Sequence, residues 1–159
     1  HASLTPMRFE GGARAGKRRG RYYKSQQLTD DDGREMLYIL TFCLPRFMDV
    51  DWREKLITIV HELWHISPEF DGDLRRHEGR CYAHTGSRAN FDRQMEGLVD
   101  RWLSLDPPKS LYRFLEYQFA ELQQRHGRVY GLRYSRPKLL PIPAAEARRM
   151  NRELKKPGS

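Results

Sequence analysis

Residues 51–66, DWREKLITIVHELWHI, carry the strongest helix signal in the chain. Apolar residues recur there at spacings of three and four, as on a helix face that packs against a core; they are Trp52, Leu56, Ile59, Val60 and Leu63. Asp51 can cap the first turn, with Glu54 completing a capping-box pattern, and Pro68 disfavours helical geometry just before it. The sequence therefore predicts a core helix that begins after Asp51 and ends near Ile66.

The last turns of this helix contain the motif HELWH. His61 and His65 are four residues apart, so both project from one face and can bind one zinc ion, at about 2.0–2.1 Å each. Glu62 would lie beside that metal, where it can accept a proton from a zinc-activated water as general base. The alternative interpretation is that the histidines are partly buried helix residues and Glu62 is a surface acid. We favour the metal site.

A catalytic zinc needs a third protein ligand and one open position. His84 lies 19 residues after His65, just before a second predicted helix, and is the preferred third ligand. His77, Asp71 and Cys81 remain alternatives.

Peptide hydrolysis builds negative charge on the carbonyl oxygen, and a nearby donor would stabilise it. Tyr82, Arg75 and Arg76 are the donors that the same segment offers, and Tyr82 and Arg76 are our candidates for this role. For each of these residues we nevertheless favour a structural role: the arginines can pair with neighbouring carboxylates, and the tyrosine ring can pack in the loop.

The segments TIVHELWHISP and FDGDLRRHEGRCYAHTGSRANFD resemble the short zincin-type metallopeptidases of bacteria and phages and, more loosely, the SprT-like minimal zincins. In those families a strand precedes the HExxH helix, and a third histidine precedes a helix that carries an aromatic residue. His84 and Phe91 fit this layout, although their spacing is longer than the H-x-x-x-F of SprT-like proteins. The resemblance covers about residues 35–105 and implies a zinc-dependent peptidase that acts on proteins or peptides, with Zn²⁺ as cofactor and Glu62 as general base.

Other segments complete the predicted fold. Residues 35–48 read as a buried strand that Pro45 interrupts, and Ser87 can cap a second helix through Trp102. A third helix is predicted from Leu111 to Leu122, with Gly127 after its end, and residues 128–135 as a short strand. The chain is thus expected to be α+β, with a minimal zincin-like fold in which a small antiparallel or mixed sheet packs on the HExxH helix and two further helices.

The charge is concentrated at the two ends of the chain. Residues 1–28 carry seven Lys/Arg against one acid, and residues 125–159 carry ten against two, whereas the middle is net acidic. We expect a basic Gly/Arg-rich arm at 1–28, a metallopeptidase domain at 29–135 and a basic Pro-containing tail at 136–159. The first residues of the arm are typical of an expression tag. Tyr22 and Tyr23 lie among arginines and could stack on bases, so DNA or RNA is a candidate partner of the basic ends. Solvated arms are the alternative.

The remaining composition limits the class of protein. No apolar run approaches the roughly 20 residues of a membrane-spanning helix, and the N-terminus lacks a basic-then-apolar signal peptide. The two cysteines, Cys43 and Cys81, form no CxxC pair, which favours a reducing cytoplasm. A cytoplasmic peptidase without a membrane partner is our first interpretation, and a basic nucleic-acid- or protein-binding module with a structural or absent zinc is the second.

Overall fold

A computed structural model describes residues 2–76, 88–130 and 137–154 of the chain. Within these ranges the protein is α+β, as the sequence predicts, with four α-helices and two small antiparallel sheets. The strands are β1 (Ala2–Pro6), β2 (Ala15–Arg18), β3 (Arg21–Ser25), β4 (Tyr38–Phe42) and β5 (Leu139–Ile142). The α-helices are α1 (Trp52–Trp64), α2 (Arg88–Ser104), α3 (Phe119–His126) and α4 (Ala144–Glu153). Short 3₁₀ helices cover Glu10–Gly12, Lys109–Leu111 and Arg113–Glu116.

The chain divides into two compact units. Unit 1 comprises His1–Leu4, Leu40–His65 and Arg76–Arg133, and unit 2 comprises Thr5–Ile39, Ile66–Arg75 and Tyr134–Ser159. Strand β1 pairs with β4, and the other sheet has the strand order β2-β3-β5. Unit 1 contains α1, α2 and α3, whereas the three-stranded sheet and α4 belong to unit 2. Both ends that the sequence predicted as arm and tail thus contribute strands to unit 2.

Unit 1 is built around the helix that the sequence predicted. The Asp51 side chain accepts a hydrogen bond from the Arg53 N–H at 2.8 Å and so caps α1. The helix ends at Trp64, with His65 as its C-cap, close to the predicted end. Helix α1 packs on α2, and the buried residues of this core are Phe47, Met48, Leu56, Val99 and Leu115.

A buried lysine joins α1 to the segment before α3. Only 1% of Lys55 is exposed, and its ammonium donates hydrogen bonds to the carbonyl oxygens of Leu115 and Tyr117, both at 2.9 Å. Removal from water lowers the pKa of Lys55, because burial penalises the charged form. Three nearby carboxylates oppose this shift: Asp49, Asp51 and Glu121.

Three predictions in this part of the chain need correction. The predicted strand at 35–48 is shorter, because only Tyr38–Phe42 is paired and turns follow. The single helix predicted between 111 and 122 is replaced by two 3₁₀ turns and α3. The regular helix begins at Phe119, because Gln118 forms a capping box and the Asp49 carboxylate accepts a hydrogen bond from the Phe119 N–H. Residues 128–130 form no strand, and the rest of that predicted strand lies outside the described residues.

In unit 2 the Gly/Arg-rich segment that the sequence predicted as a loop or arm forms a β-hairpin. Arg18 stands opposite Arg21, so only Arg19 and Gly20 make the turn. Their φ angles are +47° and +82°, as in the two-residue turns whose twist matches that of paired strands. The prediction was wrong because the turn was not recognised and because polar residues occupy both faces of the strands.

The basic Pro-containing tail contributes β5 and α4. Helix α4 packs on β2 and β3, with Ala147 only 1% exposed. The Lys24 ammonium lies 3.0 Å from the Glu146 carboxylate. The Asn151 amide accepts from the Ala15 N–H at 3.0 Å and donates to the Ala15 carbonyl oxygen at 2.9 Å. Within unit 2, helix α4 therefore covers one face of the three-stranded sheet.

Candidate metal centre

The two histidines of the HELWH motif lie side by side at the end of α1. Their ring centres are 5.0 Å apart and their planes are inclined at 72°. Two imidazoles that bind one tetrahedral zinc at about 2.0–2.1 Å have ring centres roughly 5 Å apart, because each centre lies little more than 1 Å behind its nitrogen. The observed separation fits two ligands of one zinc ion.

An aromatic ring from α2 contacts both histidines. Phe91 is 6% exposed, and its ring centre lies 4.9 Å from that of His61 at an interplanar angle of 81°. The Phe91 and His65 rings are nearly parallel, with centres 6.3 Å apart. These contacts limit rotation of the two imidazoles and shield one side of the pair from water. The first turns of α2 therefore lie against the histidine pair.

Glu62 is half-buried beside the histidine pair. Within the part of the chain that the structure describes, its carboxylate makes no hydrogen bond or ion pair. Partly buried carboxylates used for structure are normally paired with a donor. Glu62 is thus a half-buried carboxylate without a hydrogen-bond or ion-pair partner among the described residues.

Several of the predicted site residues lie outside the described ranges. His84, the alternatives His77 and Cys81, and the donor candidate Tyr82 all lie outside the described residues. Across 2–76, 88–130 and 137–154, no three His, Cys, Asp or Glu side chains are grouped to hold a metal. Of the candidate ligands in the described ranges, His61 and His65 lie side by side, and no third one is grouped with them.

The other candidates lie in the segment after α1. Asp71 accepts a hydrogen bond from the Asp73 N–H at 3.1 Å, which closes a turn of this segment. Arg75 is half-buried and Arg76 is exposed, and both interact with other groups. Neither a ligand role for Asp71 nor a donor role for Arg76 follows from these contacts.

Unit 2 fixes this segment through a buried polar cluster. The Gly72 N–H donates to the Tyr38 hydroxyl at 3.0 Å, and that hydroxyl donates to the Asp73 carbonyl oxygen at 2.8 Å. Asp73 is 6% exposed, and its carboxylate accepts from the Gly11 N–H at 3.0 Å. Burial raises the pKa of Tyr38, so its hydroxyl keeps its proton and remains a donor. Sequence reasoning missed this cluster, since no spacing pattern links residues so far apart.

Comparisons with known proteins identify no relative: no family model, curated protein or solved structure matches this chain. In the described ranges no helix has both the length and the apolar character needed to cross a membrane.

Proposed function

We propose that the protein is a zinc-dependent peptidase in which His61, His65 and a third residue, preferably His84, bind the metal. The observation that carries the proposal is the 5.0 Å separation of the two imidazole rings, next to a half-buried carboxylate without a structural partner in the described part of the chain. A zincin-type arrangement of the fold and a cytoplasmic setting belong to the same proposal.

In this proposal each residue has a distinct task. Bound zinc would supply Lewis acidity, which lowers the pKa of a water molecule and polarises a peptide carbonyl. Glu62 accepts the proton of the attacking water and then delivers it to the leaving amine. Phe91 holds the two imidazoles in position through its ring contacts. Tyr82 and Arg76 are the candidate donors to the negatively charged carbonyl oxygen.

Chain connectivity supports the preference for His84. Helix α2 begins at Arg88, and Phe91 in its first turns contacts both histidines. His84 precedes Arg88 by four residues, and four residues of extended chain span at most about 14 Å. Cys81 and His77 are farther from α2 along the chain. This shorter stretch of chain to α2 is the reason for preferring His84 as the third ligand.

The test separates metal binding from catalysis. In protein purified without chelator and supplied with zinc, Glu62→Gln should retain about one zinc per chain and lose peptide hydrolysis by roughly 10²- to 10⁴-fold. His61→Ala and His65→Ala should lose the metal itself. Glu54→Gln is the matched control, because Glu54 is an exposed glutamate at the other end of the same helix. That variant should keep both metal and activity.

Two results would contradict the proposal. If the wild-type chain binds no zinc even when zinc is supplied, the HELWH motif is no metal site. If Glu62→Gln leaves metal content and hydrolysis both unchanged, the zinc is structural. Comparing zinc content in His84→Ala and His77→Ala identifies the third ligand, and the proposal expects loss only in His84→Ala.

A further inference from the structure

The three-stranded sheet of unit 2 has one face that α4 does not occupy. Side chains directly opposite one another in antiparallel strands lie on the same face, and faces alternate along each strand. Because Arg18 stands opposite Arg21, both point to the face that Tyr23 occupies two residues further along β3. Tyr23 stands opposite Pro141, and two residues before it Leu139 joins the same face. We call this surface, formed by Arg18, Arg19, Arg21 and Tyr23 with Leu139 at its edge, the arginine face.

A surface groove supports this assignment independently of the register. It has a volume of about 410 Å³ and is lined by Arg18, Arg19, Tyr23 and Leu139. The three arginines of the hairpin are exposed, and Tyr23 is half-buried between them and β5. Phe9 packs against the sheet from this side, since a Cβ on Gly16 would lie 2.2 Å from its ring. Phe9 thus covers the part of this face next to Gly16, and Tyr23 lines the groove beside the arginines.

The opposite face of the sheet is already used. Lys17, Tyr22 and Lys24 point there. Lys24 pairs with Glu146 of α4, and the Lys17 ammonium lies 6.0 Å from the centre of the Tyr22 ring. Tyr22 therefore interacts with a cation of its own sheet, whereas Tyr23 remains available to a ligand.

The charge of the arginine face is not neutralised by the described residues. Arg18, Arg19 and Arg21 form no ion pair with any carboxylate in those ranges. In the same unit, Arg8 and Arg34 lie 2.6 Å and 2.8 Å from carboxylate oxygens. A guanidinium binds phosphate through two parallel hydrogen bonds. Three such groups within four residues of chain create a site for an anion with repeated charges.

We propose that the arginine face binds single-stranded nucleic acid, with backbone phosphates on the three arginines and a base stacked on Tyr23. An aromatic ring that lies open beside cationic side chains is the combination that single strands use, because unpaired bases expose the flat surface that a duplex keeps inside. The proposal is independent of the histidine pair, since none of its residues belongs to α1 or α2.

The first test removes the charge. Binding of the full chain to a short fluorescein-labelled oligothymidylate is followed by anisotropy at several salt concentrations. The triple variant Arg18→Gln, Arg19→Asn, Arg21→Gln should bind more weakly, and its salt slope should be smaller by about 2, since each lost phosphate contact with a single strand is worth about 0.7. Asparagine is chosen for position 19 because it tolerates the positive φ there.

A matched control removes the same charge elsewhere in unit 2. The triple variant Arg148→Gln, Arg149→Gln, Arg152→Gln loses three exposed arginines of α4, and glutamine is compatible with a helix. It should bind the oligonucleotide nearly as the wild-type chain does. Equal losses in the two triple variants would overturn the proposal, because attraction would then follow total charge and not this face.

The second test concerns stacking. Tyr23→Leu should weaken binding on the order of ten-fold, as expected for the loss of one stacked base, whereas Tyr22→Leu should not. Thermal melting followed by circular dichroism confirms that each compared variant is folded. Unlabelled duplex DNA, polyglutamate and anionic vesicles serve as competitors. If one of them displaces the probe better than unlabelled oligothymidylate does, the face recognises that ligand and the proposal is wrong.

Discussion

Replacing Lys55 by methionine tests whether a buried ammonium stabilises unit 1. Methionine keeps an unbranched stem of similar length, so the change removes the hydrogen bonds to the carbonyl oxygens of Leu115 and Tyr117 and little else. The Leu115 bond is buried, and an unsatisfied buried carbonyl costs about 1–3 kcal/mol. Relief of the desolvation of the charged group offsets part of this cost. We expect a net loss of about 1–2 kcal/mol in the free energy of unfolding.

Lys55→Ala provides the comparison for packing. It loses the same hydrogen bonds and also about three heavy atoms of buried stem, each worth roughly 0.8 kcal/mol. The free energy of unfolding of the alanine variant should therefore be about 2 kcal/mol lower than that of the methionine variant. Urea unfolding followed by tryptophan fluorescence measures both, since Trp52, Trp64 and Trp102 are the only tryptophans of the chain and all belong to unit 1.

The pH dependence of the free energy of unfolding gives an independent check on the direction of the Lys55 pKa shift. The folded-state pKa of Lys55 is lowered from the ordinary value of 10.5. Between the lowered pKa and 10.5 the unfolded chain binds more protons than the folded chain, so stability from this residue rises with pH in that window. The advantage of wild type over Lys55→Met should grow as pH increases towards 10.5 and be smallest below the lowered pKa. A methionine variant as stable as wild type, or an advantage that shrinks with rising pH, would refute this reasoning.

Two further substitutions, one in each unit, test a close contact and the support of the histidine pair. Gly16→Ala places a Cβ 2.2 Å from the Phe9 ring, so the free energy of unfolding should fall by about 1–3 kcal/mol. Adding Phe9→Leu should restore most of this stability. If the double variant is as unstable as Gly16→Ala alone, the clash with Phe9 is not the cause. Phe91→Leu keeps apolar volume but removes the ring on the two histidines, so zinc affinity measured by chelator competition should fall about ten-fold. Met95→Leu, at a fully buried position of the same helix, should leave zinc affinity unchanged, and equal affinities in these two variants would exclude the positioning role.

Helices α1 and α2 were largely predictable because their local signals agree with their packing, whereas α3 was not. For α1, a capping aspartate, an apolar stripe and a following proline all indicate the same boundaries, and the structure confirms them closely. Lys55 falls on that stripe, three residues after Trp52 and four before Ile59. Its spacing was therefore a signal of burial that its charge concealed. The carbonyl groups that accept its hydrogen bonds lie about 60 residues away, where no local pattern could reveal them.

The sheet of unit 2 could not be predicted in the same way. Strands are recognised by alternation of apolar and polar residues, and KRRGRYYK has arginine or lysine on both faces of the hairpin. Pairing of β3 with β5 joins residues more than 100 positions apart, so it depends on tertiary contacts alone. One signal was present for α4, where Ala147 and Asn151 are four residues apart and both face the sheet.

For the candidate site, the sequence predicted which described residues come together but not what supports them. Helical spacing alone brings His61 next to His65, as observed. The contact of Phe91 with both rings depends on how α2 packs on α1, which spacing does not specify. The roles of His84 and Tyr82 stay predictions.

The amide of Asn151 also determines how the hairpin behaves towards other chains. Strand β2 is at the edge of its sheet, where unpaired backbone groups would otherwise offer a template for a foreign strand. By bonding both the N–H and the carbonyl oxygen of Ala15, Asn151 takes the place that a neighbouring strand would occupy. A side chain of α4 thus removes one pairing site from the exposed edge of β2, so a foreign strand that pairs there would first have to displace Asn151.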